Sequence, residues 1–87
     1  MMIKEYQVKD KEGMHARPAS LLVKKAASYA NPITITYKEK EVTLKSIMAV
    51  MSLGIRYEDT FAIKVEGDDA QAIQADFEQF LVENQLV

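Results

Sequence analysis

His15 is the only histidine among 87 residues and lies in Gly13-Met14-His15-Ala16-Arg17-Pro18-Ala19, where a turn residue gives way to a stretch rich in alanine and leucine. Imidazole titrates near neutrality and carries a lone pair that can attack phosphorus. The resulting phosphoramidate gives its group up readily, because the protonated ring is a good leaving group; that suits a relay better than a store. The loose transition state of phosphoryl transfer spreads negative charge over the equatorial oxygens, so the surroundings must supply positioning and positive charge. Arg17 offers a guanidinium two residues on. The backbone amides of Ala16 and Arg17, unpaired at a helix start, can cradle a phosphate. Pro18 lacks an N–H, and its fixed φ stiffens the first turn and pre-organises the amides before it.

The plainest alternative is a surface histidine acting as a weak helix cap. A histidine engaged in acyl transfer would need a serine or cysteine partner and an oxyanion site, and nothing in the chain points to a triad. There is no GxxxxGK phosphate loop and no kinase signature, so no means of binding a nucleotide donor is visible. Phosphate would have to arrive from another protein. Cysteine is absent, which removes disulfides, thiol chemistry and cysteine-containing zinc sites, and one histidine cannot build a histidine-rich metal centre. We therefore expect no metal and no cofactor. Eleven basic against thirteen acidic residues give a net charge of −2, no field that favours nucleic acid or an anionic membrane. The longest uninterrupted apolar run, Ile47 to Met51, is too short to insert in a membrane, and the first residues do not resemble a secretion signal. With no repeats and no linker, residues 1–87 are expected to form a single domain; the absence of cysteine fits a reducing cytoplasm, and a monomer is expected.

The elements that must position these groups follow from periodicity. Met2, Tyr6 and Val8 share one parity and Glu5, Gln7 and Lys9 the other, which predicts a strand over Met2 to Val8, followed by a loop over Asp10 to Gly13. Ala19, Leu22, Val23, Ala26 and Ala30 recur at helical spacing, predicting a helix from Ala16 to about Ala30 with Pro18 in its first turn. Ile33, Ile35 and Tyr37, then Val42 and Leu44 beyond the polar run Lys38 to Glu41, predict a hairpin. Ser46 is placed to N-cap a short helix from Ile47 to Leu53, with Gly54 set for a left-handed stop. Phe61, Ile63 and Val65 predict a further strand. A final helix opens at Gly67-Asp68-Asp69, the acidic pair complementing its dipole, with Ala70, Ile73, Phe77, Phe80 and Leu81 inward and Asp76 and Glu78 on the solvated face. The order β-α-β-β-α-β-α, with alternating strands, predicts an α+β fold: a four-stranded antiparallel sheet with three helices on one face.

Ile47, Met48, Val50, Met51 and Leu53 cover more of a short helix than one inward stripe, so some must be exposed; adaptable methionines there suit a surface that meets several partners.

Two separated segments, Gly13-Met14-His15-Ala16-Arg17-Pro18-Ala19-Ser20 and Leu44-Lys45-Ser46-Ile47-Met48-Ala49-Val50-Met51-Ser52-Leu53-Gly54, resemble the HPr family, the histidine-containing phosphocarriers of the phosphoenolpyruvate-dependent sugar phosphotransferase system. The lengths around them match across the whole chain. The resemblance implies an open-faced β-sandwich. It implies that His15 accepts phosphate on Nδ1 from enzyme I and passes it to sugar-specific enzyme IIA domains, assisted by Arg17. It further implies that Ser46 is phosphorylated by an ATP-dependent bifunctional kinase/phosphorylase, making the carrier a regulator that meets catabolite control protein A, and that Ser20, Ile47, Met48 and Met51 dock partners. The chain departs from the family pattern at Glu39 and Glu58, where turn glycines are common, at Ala49 for a glycine in the docking helix, and at Thr43 for an asparagine; Met14 and Ser20 are milder changes. The alternative is a regulatory paralogue resembling Crh, which shares the serine segment, but such proteins typically carry glutamine in place of the active histidine.

Overall fold

The computed structural model describes residues 1–87. Its elements are β1 (Met2–Gln7), α1 (Ala16–Ala27), β2 (Ile33–Tyr37), β3 (Lys40–Thr43), α2 (Ile47–Met51), β4 (Thr60–Val65) and α3 (Ala70–Glu83). The strands form one antiparallel sheet in the order β1-β4-β2-β3. The period-two pattern decides which face is covered. Tyr6, Ile33, Ile35, Tyr37, Phe61, Ile63 and Val65 are buried beneath the helices, while Thr36, Ala62 and Lys64 alternate with them on the open face. Cross-strand pairs Tyr6–Phe61 and Ile35–Ile63 lock this register, because a slip of one residue would turn every apolar side chain outward.

α1 buries Pro18, Ala19, Leu22 and Ala26, and α3 buries Ala70, Ile73, Phe77 and Leu81, completing one core with Val8, Met14, Leu44, Val50 and Ile55. Phe80 is only half-buried, packing at the core's edge where Lys25 lies over its ring. α3 also buries Gln74, a polar residue on its apolar face. Its Oε1 accepts the Tyr6 hydroxyl at 2.9 Å and its Nε2 donates to the Ile63 carbonyl at 2.9 Å, so its burial leaves no stranded polar group. Burial, with Glu78 nearby, pushes the Tyr6 hydroxyl up to about 12.

Several boundaries differ from the sequence expectation. β1 ends one residue before Val8. α1 stops at Ala27 rather than about Ala30, because the Ser28 hydroxyl donates to the Lys25 carbonyl at 2.6 Å and the Ser28 and Tyr29 amides tighten to i→i−3 bonds. α2 stops at Met51 rather than Leu53 for the same reason, the Leu53 and Gly54 amides turning back to Val50 and Met51. α3 begins at Ala70, directly after the acidic pair as expected, with Asp69 at the N-cap position; its carboxylate makes no capping bond and instead accepts from Asn31 Nδ2 at 2.7 Å. In the hairpin turn Lys38, not Glu39, takes the left-handed conformation, with φ +56°. Glu58, at φ +73°, does sit where a glycine would be relaxed.

Gly13 ties the loop before α1 to the segment after α2. At φ +71° a Cβ on it would lie 2.7 Å from the Ile55 carbonyl oxygen and 2.9 Å from Arg56 Cα. The absence of a side chain lets the two backbones press together, and the Met14 amide donates to that same Ile55 carbonyl at 2.9 Å. Met14 is thereby buried, and His15 emerges at a fixed place on the surface.

Candidate functional site

His15 is the N-cap residue of α1, with extended backbone (φ −84°, ψ −174°), and its carbonyl accepts the Ala19 amide at 3.1 Å. Its side chain makes no capping bond. The imidazole is about one-third exposed, 32%, and turns toward the loop that precedes it. Nε2 lies 3.4 Å from Asp10 Oδ2 and 3.8 Å from Glu12 Oε2. Asp10 is itself held, its Oδ1 accepting the Glu12 amide at 2.9 Å. That backbone hydrogen bond, helped by His15 and by the charge of Arg17, keeps the Asp10 carboxyl below the usual carboxylate range.

A neutral ring that faces a carboxylate through Nε2 carries its proton there, donating to Asp10, and leaves the Nδ1 lone pair bare. The amides of Ala16 and Arg17 donate to no group in the chain, as expected for a first helical turn. The Arg17 guanidinium forms no ion pair; with Asp10, Pro18, Leu21 and Asn84 it rims the same shallow pocket as His15. Asn84 comes from the end of α3, where it caps the helix through Nδ2 on the Phe80 carbonyl at 2.8 Å. The Lys9 amide donates to the Leu86 carbonyl at 2.7 Å, tying the C-terminal residues to this loop. The result is a nucleophilic nitrogen, two free amides and a free cation at one helix start, a constellation able to take up a phosphoryl group.

Ser46 is the N-cap of α2 in extended conformation, and its hydroxyl oxygen accepts the Ala49 amide at 3.2 Å. The capping expectation holds. Behind it the short helix divides as its composition requires: Val50 is fully buried, while Ile47, Met48 and Met51 are 40%, 81% and 40% exposed. Ala49 is half-buried. α2 packs beside α1, on which Ser20 is exposed.

Asp10, Glu12 and Asn84 join the site without a signal of their own in the sequence. Asn84 carries no local signal, since the fold brings it in from the far end of the chain. Asp10 and Glu12 were legible only as loop residues; their convergence with His15 depends on the turn that Gly13 closes. The ligand atoms of Asp10, Glu12 and His15 lie within 4.8 Å of one another, a grouping with neither histidine-rich nor cysteine spacing.

Comparison with known proteins places this geometry in context. Residues 2–83 match the family model described as the PTS HPr component phosphorylation site. The chain is 44% identical over 81 residues to a curated phosphocarrier protein HPr of Mycoplasma capricolum subsp. capricolum, covering 92% of this chain and 90% of that one. Among solved structures it is similar to the histidine-containing phosphocarrier protein of Mycoplasma, with a TM-score of 0.93 and 36% identity over 99% of this chain and 98% of the other. It is also similar to Crh of Bacillus subtilis, crystallised as an intertwined dimer with a swapped domain, with a TM-score of 0.72 and 29% identity over 100% of both chains. No helix is long and apolar enough to cross a membrane.

Proposed function

The chain belongs to the HPr family of phosphocarriers of the phosphotransferase system, and from that premise we propose that His15 is its phosphoryl relay, loaded by phosphorylated enzyme I and discharged to enzyme IIA domains. The observation that carries this is the division of labour on one ring: Nε2 is turned to Asp10 at 3.4 Å, so the nucleophilic lone pair falls on Nδ1. In loading, the bond from phosphorus to the donor breaks as the bond to Nδ1 forms. The ring gains positive charge, which the Asp10 carboxylate balances through the Nε2 proton. Arg17 and the amides of Ala16 and Arg17 offset the charge on the transferring oxygens. In discharge the same ring, still protonated at Nε2, leaves phosphorus as a neutral imidazole. Asp10 here is a positioning residue, acting through His15. The protein is expected to work in the cytoplasm as a monomer of one domain. The test is incubation with enzyme I, phosphoenolpyruvate and Mg²⁺: acid-labile phosphate should enter the protein and should be lost in His15→Ala. Labelling that persists in that variant would remove His15 from the role.

A second, regulatory role is proposed for Ser46. Phosphorylation by the bifunctional kinase/phosphorylase moves the γ-phosphoryl of ATP to the Ser46 hydroxyl oxygen, adding about −1.5 to −2 charge beside the exposed Ile47, Met48 and Met51. The helix start tolerates that charge, and the changed surface selects catabolite control protein A over the transfer partners. Ser20 extends the docking face. The full-length similarity to Crh supports this role, whereas His15 with Arg17 and Pro18 favours a carrier over a purely regulatory paralogue. Acid-stable label from ATP and the kinase, absent in Ser46→Ala, is the expected result; label retained in that variant would place the site elsewhere.

A further inference from the structure

We propose that Asp10, Glu12 and His15 form a binding site for a first-row divalent metal ion, represented by Zn²⁺, and that the bound ion blocks phosphoryl acceptance. The binding stands on geometry alone; its consequence rests on His15 being the relay. Both carboxylates approach the same ring nitrogen, Nε2, with oxygens at 3.4 and 3.8 Å. A tetrahedral zinc with arms of ~2.0–2.1 Å has its ligand atoms ~3.3–3.4 Å apart, so these two edges are near those of a coordination polyhedron. All three ligand atoms lie within 4.8 Å of one another. The remaining adjustment falls to Glu12, whose side chain is 78% exposed and free to swing, while Asp10 is already fixed by the Glu12 amide.

The donor set selects the ion. Mg²⁺ and Ca²⁺ prefer all-oxygen shells, whereas an imidazole with two carboxylates suits zinc and its neighbours. Two carboxylates outweigh the one opposing charge at the pocket, Arg17, and solvent can complete the shell because His15 is partly exposed.

The consequence follows from the ring's two nitrogens. Coordination uses the lone pair of Nε2, so the proton that sat there must go. In the neutral ring it moves through solvent to Nδ1; in the charged ring the Nε2 proton is released and the Nδ1 proton stays. Either way Nδ1 becomes an N–H with no lone pair to offer phosphorus. Asp10 thus favours the nucleophilic tautomer when it faces a proton and suppresses it when it faces a metal ion.

Calorimetric titration of the intact protein with Zn²⁺, followed in parallel by ¹⁵N NMR of the His15 ring, tests this. Saturable binding of one ion per chain is expected, with the Nε2 resonance shifting as a metal-bound nitrogen and Nδ1 as a protonated one. Glu12→Gln should weaken binding by at least the roughly tenfold that loss of even an outer-shell partner costs, and His15→Ala should abolish it. Asp68→Asn, which removes an exposed carboxylate elsewhere, should leave it unchanged. No saturable heat at millimolar Zn²⁺, or binding that survives His15→Ala, overturns the site. Zinc should also slow loading by enzyme I in the wild type and, at the same concentration, slow it less in Glu12→Gln, with EDTA equimolar to the zinc, under excess Mg²⁺, restoring the wild-type rate. Equal inhibition of both chains refutes the proposed block while leaving the carrier role intact. Failure of the wild type to load with Mg²⁺ present and no zinc added refutes the carrier role, and the titration still reports on the metal.

Discussion

Replacing Gly13 with alanine tests how the fold seats His15, the proposed relay. At φ +71° the substitution forces a Cβ into a left-handed conformation, costing ~1–2 kcal/mol. It also drives that Cβ to 2.7 Å from the Ile55 carbonyl oxygen and 2.9 Å from Arg56 Cα, both backbone atoms that cannot swing aside, an overpacking worth ~1–3 kcal/mol. Against this stands ~0.4–1 kcal/mol gained by stiffening the unfolded chain. The net loss is about 3 kcal/mol from a total of ~4–13 kcal/mol expected for a chain of this length. Gly54 is the matched control, with φ +68° and nothing within 4 Å of the added carbon; Gly54→Ala should lose only about 1 kcal/mol. Thermal and urea unfolding followed by circular dichroism should therefore lower Tm by roughly 12–24 °C for Gly13→Ala and roughly 4–8 °C for Gly54→Ala. Below its transition Gly13→Ala should also load slowly with phosphate, since a displacement of about 1 Å at a reacting group costs on the order of a hundredfold. Equal destabilisation by the two substitutions would refute the close packing of the 13–15 loop on residues 55–56.

Glu58→Gly should act in the opposite sense: it relieves a strained φ of +73° and removes a side chain that makes no hydrogen bond or ion pair, raising the urea midpoint by the equivalent of about 0.5–1 kcal/mol. Ser46→Ala should cost about 1 kcal/mol by removing the 3.2 Å cap on the Ala49 amide, with His15 loading unchanged in the enzyme I assay. The Asp59 carboxyl is held below its ordinary value first by the Tyr37 hydroxyl and then by the Arg56 amide. A depressed carboxyl stabilises the fold above its unfolded pKa of about 3.9 and loses that contribution as pH falls through the folded value. Urea unfolding at neutral and acid pH should therefore show a smaller acid loss in Asp59→Asn than in the wild type.

Much of the fold is written in short-range patterns. Alternation at Ile33, Ile35, Tyr37, Phe61, Ile63 and Val65 predicts both the strands and the covered face, because a one-sided sheet leaves one parity no choice but the core. Ser46 as a cap and the partial exposure of Ile47, Met48 and Met51 follow from composition and helix geometry. What escaped the sequence depends on partners distant in the chain or on loop shape. Gln74 looks like a surface residue until the Tyr6 hydroxyl and the Ile63 carbonyl satisfy it in the core. The early end of α1 turns on the Ser28 hydroxyl and the tightened amides of Ser28 and Tyr29. At the site, His15, Arg17 and the free amides are adjacent in sequence and were legible together. Asp10 and Glu12 are close in sequence too, but nothing in their spacing says that the turn before Gly13 aims both at Nε2.

Asp10 faces Nε2, and the proposed relay therefore places the chemistry on Nδ1 of His15. Loading ¹⁵N-labelled protein with enzyme I and phosphoenolpyruvate, and reading phosphorus–nitrogen coupling by NMR, tests it most directly. Coupling of the new phosphorus to Nδ1 of His15 is the predicted result; coupling to Nε2, or phosphate on any other residue, would contradict it.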